Sequence, residues 1–363
     1  MLYAILQEIE RRYPDAIVYI PGERLFHRID YISTRIDFRT LPCTRFEKVL
    51  RLRRIYNLLH ISYRYLPHSI LAGKIDYFLD GSGFRFSDQM NLSSVTVTTL
   101  KSQLSVYYED NARIVYLPQA FGPFKKEMSL KCISIINKYS SIIIPREKVS
   151  YNYLMETGLV NQNKVKIFTD FTSLVDGRFP TKYDYLRNGI CIIPNMRMID
   201  MGVATKEVYI SFLRAIIKKG EDSYRPVYLL NHEGELDELL CYQCQESIGG
   251  KIEVVTRLNA LETKGLIASA YVVITSRYHG LASALNSCVP CLATSWSHKY
   301  QELYKDYNLD NYVLSLDNVD SAVNTVGRLL EKQENERLRE HLKSQLPKIK
   351  AQTRTMWDMI WKR

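Results

Sequence analysis

Between Gly189 and Ser295 the chain repeats one pattern: short apolar runs, GICIIPN (189–195), RPVYLL (225–230), KIEVVT (251–256), YVVIT (271–275) and PCLATS (290–295), each parted from the next by a stretch long enough for a helix. Runs this short, rich in Val and Ile and bounded by Gly, Pro, Asn, Ser or Thr, read as strands buried on both faces. Strands that alternate with helices are joined by crossovers, and crossovers make a parallel sheet. That single constraint excludes all-α and all-β folds. An earlier series, AIVYIP (16–21), IDYFLD (75–80), RIVYLP (113–118) and SIIIP (141–145), repeats it, with helical patterns at Leu2–Arg12 and from about 126 to 139. The expected fold is α/β, two doubly wound, Rossmann-like domains.

The segment TDFTSLVDGRFPTKYDYLRNG (169–189) has no strong periodicity and holds Pro, Gly and mixed charge. It divides the chain into an N-terminal domain (1–168), a linker (169–188), a C-terminal domain (189–325) and a helical segment (326–363). Trp357 and Trp361, at i,i+4 in that segment, share a face, so the helix is expected to cross back over the first domain. A doubly wound domain opens on a strand and a glycine-rich turn before its first helix. This chain opens on the helix, and its start is read as truncated against that plan.

A length of 363 residues suits two domains, and 46% apolar with 24% charged residues places the chain among ordered globular proteins. Its formal charge of +10 favours anionic partners. Charge alone leaves nucleic acid, anionic lipid and phosphorylated small molecules open. No run of 18 apolar residues exists, and Glu8 and Glu10 interrupt the N-terminal apolar pattern, so neither a spanning helix nor a signal peptide is read and the cytoplasm is the expected compartment. Residues 44–67, TRFEKVLRLRRIYNLLHISYRYLP, set six basic residues against one acid among leucines and tyrosines. They read either as a helix pair with solvated arginines or as a surface for anionic lipid. Of seven cysteines, Cys241/Cys244 and Cys288/Cys291 form C-x-x-C pairs, read as buried packing thiols rather than metal ligands.

Chemistry concentrates where strands end, because ligands of parallel sheets sit beyond the carboxyl ends of strands. Gly81 and Gly83 follow IDYFLD, but Phe86 stands where a dinucleotide fingerprint needs its third glycine. They read as a loop approaching a ligand, not as a nicotinamide site. Arg146 and Asp170 follow the apolar runs SIIIP and VKIFT and are candidates for one crevice. After YVVIT comes SRYHG and a helix start: Arg277 can fork onto a carboxylate or phosphate, His279 can give or take a proton near neutrality, and Gly280 permits close backbone approach. Together they describe an anionic substrate undergoing proton transfer.

The stretch SRYHGLASALNSCVPCLATSWSHKYQELYKDYNL (276–309) resembles the polysaccharide pyruvyl transferase family, as do DGSGF (80–84), LPQAFGPF (117–124), PREKVSYNYL (145–154) and TDFTSLV (169–175) in the family's order. Two departures stand out: the family's N-terminal N-x-G-D loop is absent, and Arg146-Glu147 replaces the commoner Arg-Asp. The resemblance implies a GT-B-like pair of domains and transfer of the enolpyruvyl group of phosphoenolpyruvate onto two hydroxyls of a sugar, forming a pyruvate ketal for a surface polysaccharide such as a capsule. It implies Arg277, Arg146, Tyr278 and Lys299 as donor-binding residues and His279 as general acid. Gly81, Gly83, Gln119, Asp170 and His232, with Asp237 beside it, are implied on the acceptor side or behind it; Gln119 and Ser150 are expected to orient loops. Phosphoenolpyruvate is then a co-substrate, and no cofactor, metal or nucleic acid is expected. The acceptor is expected to be a polyprenyl-diphosphate-linked saccharide, met by peripheral contact of residues 44–67 with the inner face of the plasma membrane. The rival readings are a GT-B glycosyltransferase using a nucleotide sugar and a non-catalytic anion-binding protein.

Overall fold

The computed structural model describes residues 1–21, 37–41, 75–295, 297–310 and 312–362. The basic stretch 44–67 lies outside the described residues. The chain divides into two compact units, the first Met1–Phe171 with Arg354–Arg363, the second Thr172–Thr353.

The first unit opens on helix α1 (Leu2–Arg12), followed by strands β1 (Ile17–Pro21) and β2 (Asp37–Leu41), which pair in parallel. A parallel sheet of β3 (Tyr77–Asp80), β4 (Arg113–Gln119) and β5 (Ile142–Pro145) comes next, in that order. Helices α2 (Ser94–Glu109), α3 (Glu127–Tyr139) and α4 (Lys148–Glu156) connect and follow these strands. Helix α2 starts at a capping box, in which Ser93 accepts from the Thr96 amide and the Thr96 side chain accepts from the Ser93 amide. Its apolar residues Leu100, Leu104 and Tyr107 pack with Ile114 and Tyr116 of β4 into one core. The run VKIFT does not continue this sheet. It makes one parallel bridge, Val165 to Ile143, where Val165 joins the core, but Lys166 and Ile167 are exposed.

The second unit holds a six-stranded sheet in the order β11-β10-β9-β6-β7-β8, parallel throughout. Its strands are β6 (Ile190–Ile193), β7 (Val227–Leu230), β8 (Glu253–Val255), β9 (Val272–Thr275), β10 (Cys291–Thr294) and β11 (Val313–Leu314). Counted from β6, the spatial order is 3-2-1-4-5-6, the dinucleotide-fold order. Every residue of β6, β7, β9 and β10 is buried, which is why those runs are apolar without alternation. Between them lie α5 (Lys206–Glu221), α6 (Gly234–Ser247), α7 (Ala260–Ala268), α8 (Tyr278–Asn286) and α9 (Lys299–Asp306), and α10 (Val319–Leu330) comes after β11.

Two sequence boundaries move. Most of the expected linker belongs to the second unit: the Lys264 ammonium donates to the Thr172 carbonyl at 3.3 Å and the Arg178 amide to the Leu261 carbonyl at 2.8 Å. There the backbones meet glycine to glycine, since a Cβ on Gly265 would lie 2.3 Å from the Arg178 carbonyl carbon. The segment looked like a linker because contacts made by backbone leave no side-chain periodicity. The terminal helix α11 (Lys332–Trp361) is likewise shared, its residues to Thr353 in the second unit and those from Arg354 in the first.

The return of α11 is anchored inside the first unit. Trp361 donates from Nε1 to Glu8 at 3.2 Å and meets the rings of Tyr13 and Tyr77 edge-on at 5.3 and 5.0 Å. Arg113 donates to the Met359 carbonyl, and both tryptophans are buried against each other. Among the described residues no helix is long and apolar enough to cross a membrane.

Gly265→Ala is expected to destabilise the chain by about 1–3 kcal/mol, because no side chain can yield where backbone faces backbone. Urea unfolding followed by circular dichroism measures it; a midpoint equal to that of the wild type would mean that the 172–188 segment is not packed on α7.

Candidate functional site

Strands β6 and β9 are neighbours from which the chain runs to opposite sides of the sheet, so a crevice opens beyond their carboxyl ends. They pair in register up to Ile193 and Thr275, and the loops beyond them are tied together at Ser276. The Ser276 carbonyl accepts from the Asn195 amide nitrogen Nδ2 at 2.7 Å and from the Tyr300 hydroxyl at 2.6 Å. Its hydroxyl pairs with those of Tyr209 and Thr294, all buried. Helix α8 then starts hard against the sheet: a Cβ on Gly280 would lie 2.6 Å from Thr275 Oγ1 and 3.1 Å from Ile193 Cδ1. Glycine is what lets this helix begin at the crevice.

Arg277 occupies the N-cap of α8, its amide donating to Thr275 Oγ1 at 2.9 Å. Its guanidinium is shared by two carboxylates. Nε donates to Asp237 Oδ2 at 2.6 Å, and NH1 donates to Glu233 Oε2 at 2.5 Å. Both acids come from the start of α6, the helix after β7. Asp237 also accepts from the Met196 amide at 2.9 Å, which joins the loops after β6, β7 and β9 in one network. Burial raises the Asp237 carboxyl above its ordinary range, while the Arg277 charge pulls it down. The arginine read as an anion fork thus carries two protein carboxylates.

Around it stand the other candidates of this unit. Tyr278 is buried, its ring edge-on to those of His279 at 5.4 Å and Tyr300 at 6.1 Å. Lys299, at the first turn of α9, is buried rather than solvated, with Nζ 6.0 Å from the Tyr278 ring centre and 5.7 Å from that of Tyr300. His279 and His232 are half-buried. Burial first, and the neighbouring Arg277 charge second, push the His232 imidazole down to about 4. Arg277, His279, Tyr278, Lys299 and His232 therefore gather at the carboxyl ends of β7, β9 and β10.

The remaining candidates belong to the first unit and gather at the ends of β3, β4 and β5. Asp80 Oδ1 accepts from the Ser82 amide at 3.0 Å, the Ser82 hydroxyl at 2.7 Å and Gln119 Nε2 at 3.2 Å, which fixes the loop carrying Gly81 and Gly83. Gly83 has φ of 78°, a left-handed conformation that suits glycine. The Arg146 amide donates to the Gln119 carbonyl at 3.1 Å. Glu147 caps α4 by accepting from the Ser150 amide at 2.7 Å, and Ser150 accepts from the Phe121 amide at 2.8 Å. Arg146 and Asp170 are both buried.

Sequence reasoning missed Glu233, Asn195, Ser82 and the Tyr209–Ser276–Thr294 hydroxyls. Asn195 and Glu233 carried a signal, each lying just past a strand; the hydroxyls carried none, being spread over 86 positions. The cysteines of both C-x-x-C pairs are buried, and burial raises their thiols, that of Cys244 to about 12.

The family model for polysaccharide pyruvyl transferases matches residues 1–298. No curated protein sequence is significantly similar to this chain. Among solved structures, the chain is similar to HepE from Anabaena, crystallised with UDP and glucose, at 12% identity and a TM-score of 0.59, covering 98% of this chain and 96% of that one. It is also similar to the UDP-GlcNAc 2-epimerase from Methanocaldococcus jannaschii, at 12% identity and 0.58 over 92% and 90% of the two chains. A third is S. aureus MnaA, solved with UDP, at 13% identity and 0.56 over 95% and 87%. Identities this low establish the shared GT-B-type fold and nothing further.

An unfolded imidazole binds its proton below about pH 6.5, whereas folded His232 resists protonation down to about 4. The unfolded state therefore holds more protons between these values, and stability falls as pH drops through that window. His232→Asn is expected to lose on the order of 2 kcal/mol less than the wild type between pH 7 and pH 4.5. Denaturant unfolding at both pH values checks it; parallel losses would place the imidazole in water.

Proposed function

Because the chain belongs to the polysaccharide pyruvyl transferase family, we propose that it moves the enolpyruvyl group of phosphoenolpyruvate onto two hydroxyls of one sugar. The observation that carries this reading is the clustering of Arg277, Lys299 and His279 at the start of α8 and α9, beyond the sheet's switch point. Phosphoenolpyruvate carries a carboxylate and a phosphate, and cations beside a helix start suit both. Arg146, at the matching strand end of the first unit, is the second arginine assigned to the donor. Tyr278 gives the site an apolar wall.

His279 is assigned the proton transfer. Its imidazolium protonates the methylene carbon C3, the double-bond electrons forming the new C–H bond and leaving C2 electrophilic. A first sugar hydroxyl adds to C2 and loses its proton. The second hydroxyl then bonds to C2 as the C2–O–phosphate bond breaks, its electron pair leaving with phosphate. One proton enters at C3, two leave the hydroxyls, and the remaining one departs with phosphate. No metal or organic cofactor has a part in this scheme. Gly81, Gly83, Gln119, Asp170 and His232 are assigned to the acceptor or to holding its loops. The acceptor is proposed to be a polyprenyl-linked saccharide of capsule or exopolysaccharide synthesis. The basic stretch 44–67, outside the described residues, would then meet the membrane surface.

The structural neighbours favour one rival: HepE and MnaA were solved with UDP, and a nucleotide sugar would suit the same fold. Thermal shifts separate the two, since a ligand at 100 times its Kd stabilises by about 2.7 kcal/mol. Phosphoenolpyruvate, not UDP, is expected to raise the Tm. With a panel of lipid-linked galactose, mannose and glucose acceptors, phosphate release from phosphoenolpyruvate is expected to depend on acceptor. It should drop about 100-fold or more in His279→Gln with donor binding kept, and in Arg277→Ala with donor binding lost. Stabilisation by UDP alone, with no phosphate released, would favour the glycosyltransferase.

A further inference from the structure

The two carboxylates on Arg277 are not equivalent. Asp237 is 1% exposed and Glu233 is 71% exposed, with the Arg277 side chain between them at 19%. A buried arginine–carboxylate pair is costly to break, because the partner left behind is a buried charge. An exposed pair contributes only about 0–1 kcal/mol. Asp237 therefore fixes the Nε edge of the guanidinium, while Glu233 holds NH1 weakly.

Glu233 also has somewhere else to go. It is the N-cap residue of α6, yet its side chain makes no capping bond to that helix's amides. Carboxylates at this position ordinarily accept from the N2 or N3 amide and gain from the helix dipole. Rotated off Arg277, Glu233 can cap its own helix, so leaving the arginine strands no charge.

We infer that Glu233 is an internal counter-anion that the donor's anionic group displaces from Arg277, and that it thereby sets donor affinity, whereas Asp237 positions the arginine. This rests on the donor assignment made above. The two acids then have opposite effects. Removing the competitor tightens binding; removing the positioning residue weakens it.

The test is titration calorimetry of the full chain with phosphoenolpyruvate, with inorganic phosphate as the minimal anion. Glu233→Gln is expected to tighten the phosphoenolpyruvate Kd about fivefold. Glu233→Asp, one methylene too short to reach Arg277 but able to cap, should tighten it similarly. The gain should vanish in Arg277→Ala/Glu233→Gln against Arg277→Ala alone, and Asp237→Asn should weaken binding at least tenfold. In steady state the KM of Glu233→Gln should fall while kcat does not rise. Three results would overturn the inference: an unchanged or weaker Kd in Glu233→Gln while Arg277→Ala still weakens binding; wild-type affinity in Glu233→Asp beside a tighter Glu233→Gln, which reports general charge and not a displaced contact; or a gain that survives without Arg277. Binding untouched by Arg277→Ala, or no binding at all, would overturn the donor assignment itself and the inference with it.

Discussion

The pairing of β6 with β9 is the contact on which the site of the second unit depends. These strands bond in parallel from Ile190 with Val272 to Ile193 with Thr275. Because a parallel strand needs a crossover to reach its neighbour, both leave the sheet at the same end. Asn195 and Ser276 are thus brought to 2.7 Å although 81 positions separate them. The register also sets the spacing: a slip of one residue would turn every side chain of β9 to the other face. Ile193 would then no longer face Gly280, and α8 could not start where it does.

That geometry imposes an electrostatic arrangement that a strand end alone does not supply. An arginine held at 19% exposure needs a compensating charge, and Asp237 provides it from α6 while accepting a backbone amide from the loop after β6. The carboxylate is fixed by burial, by the guanidinium and by that amide together. Glu233 shares the same guanidinium from a solvated position where water competes with the contact. One ion pair is architecture and the other is exchangeable.

Much of the fold was legible because its signals are local. The strands of the second unit are buried on both faces, so ICII, VYLL, VVIT and CLAT announce themselves as unbroken apolar runs, and α1 matches its helical pattern from Leu2 to Arg12. Strand ends then named Arg277, His279 and Arg146, and the family resemblance added His232. The rest was not legible for a physical reason in each case. Residues 172–188 pack through the backbones of Gly177 and Gly265, which leave no periodic trace. VKIFT has the composition of a strand, but it makes a single bridge, Val165 to Ile143, and its Lys166 and Ile167 stay exposed. The two carboxylates on Arg277 belong to another helix 40 and 44 positions away, a separation no motif reports.

The same separation explains why so many hydroxyls surround Ser276. Its carbonyl accepts from Asn195 and Tyr300, and its own hydroxyl lies between those of Tyr209 and Thr294. Buried polar groups of this kind are costly if any member is unsatisfied, so the network is stable only in one arrangement. The backbone that carries Arg277 and His279 is thereby fixed before any ligand arrives. Freedom is left to what lies outside the network, the exposed carboxylate of Glu233. A site built this way loses little conformational entropy on binding, since the groups that must be ordered already are. Under the proposed donor assignment, selectivity would then rest on which anion can replace a carboxylate at NH1 without disturbing the one at Nε.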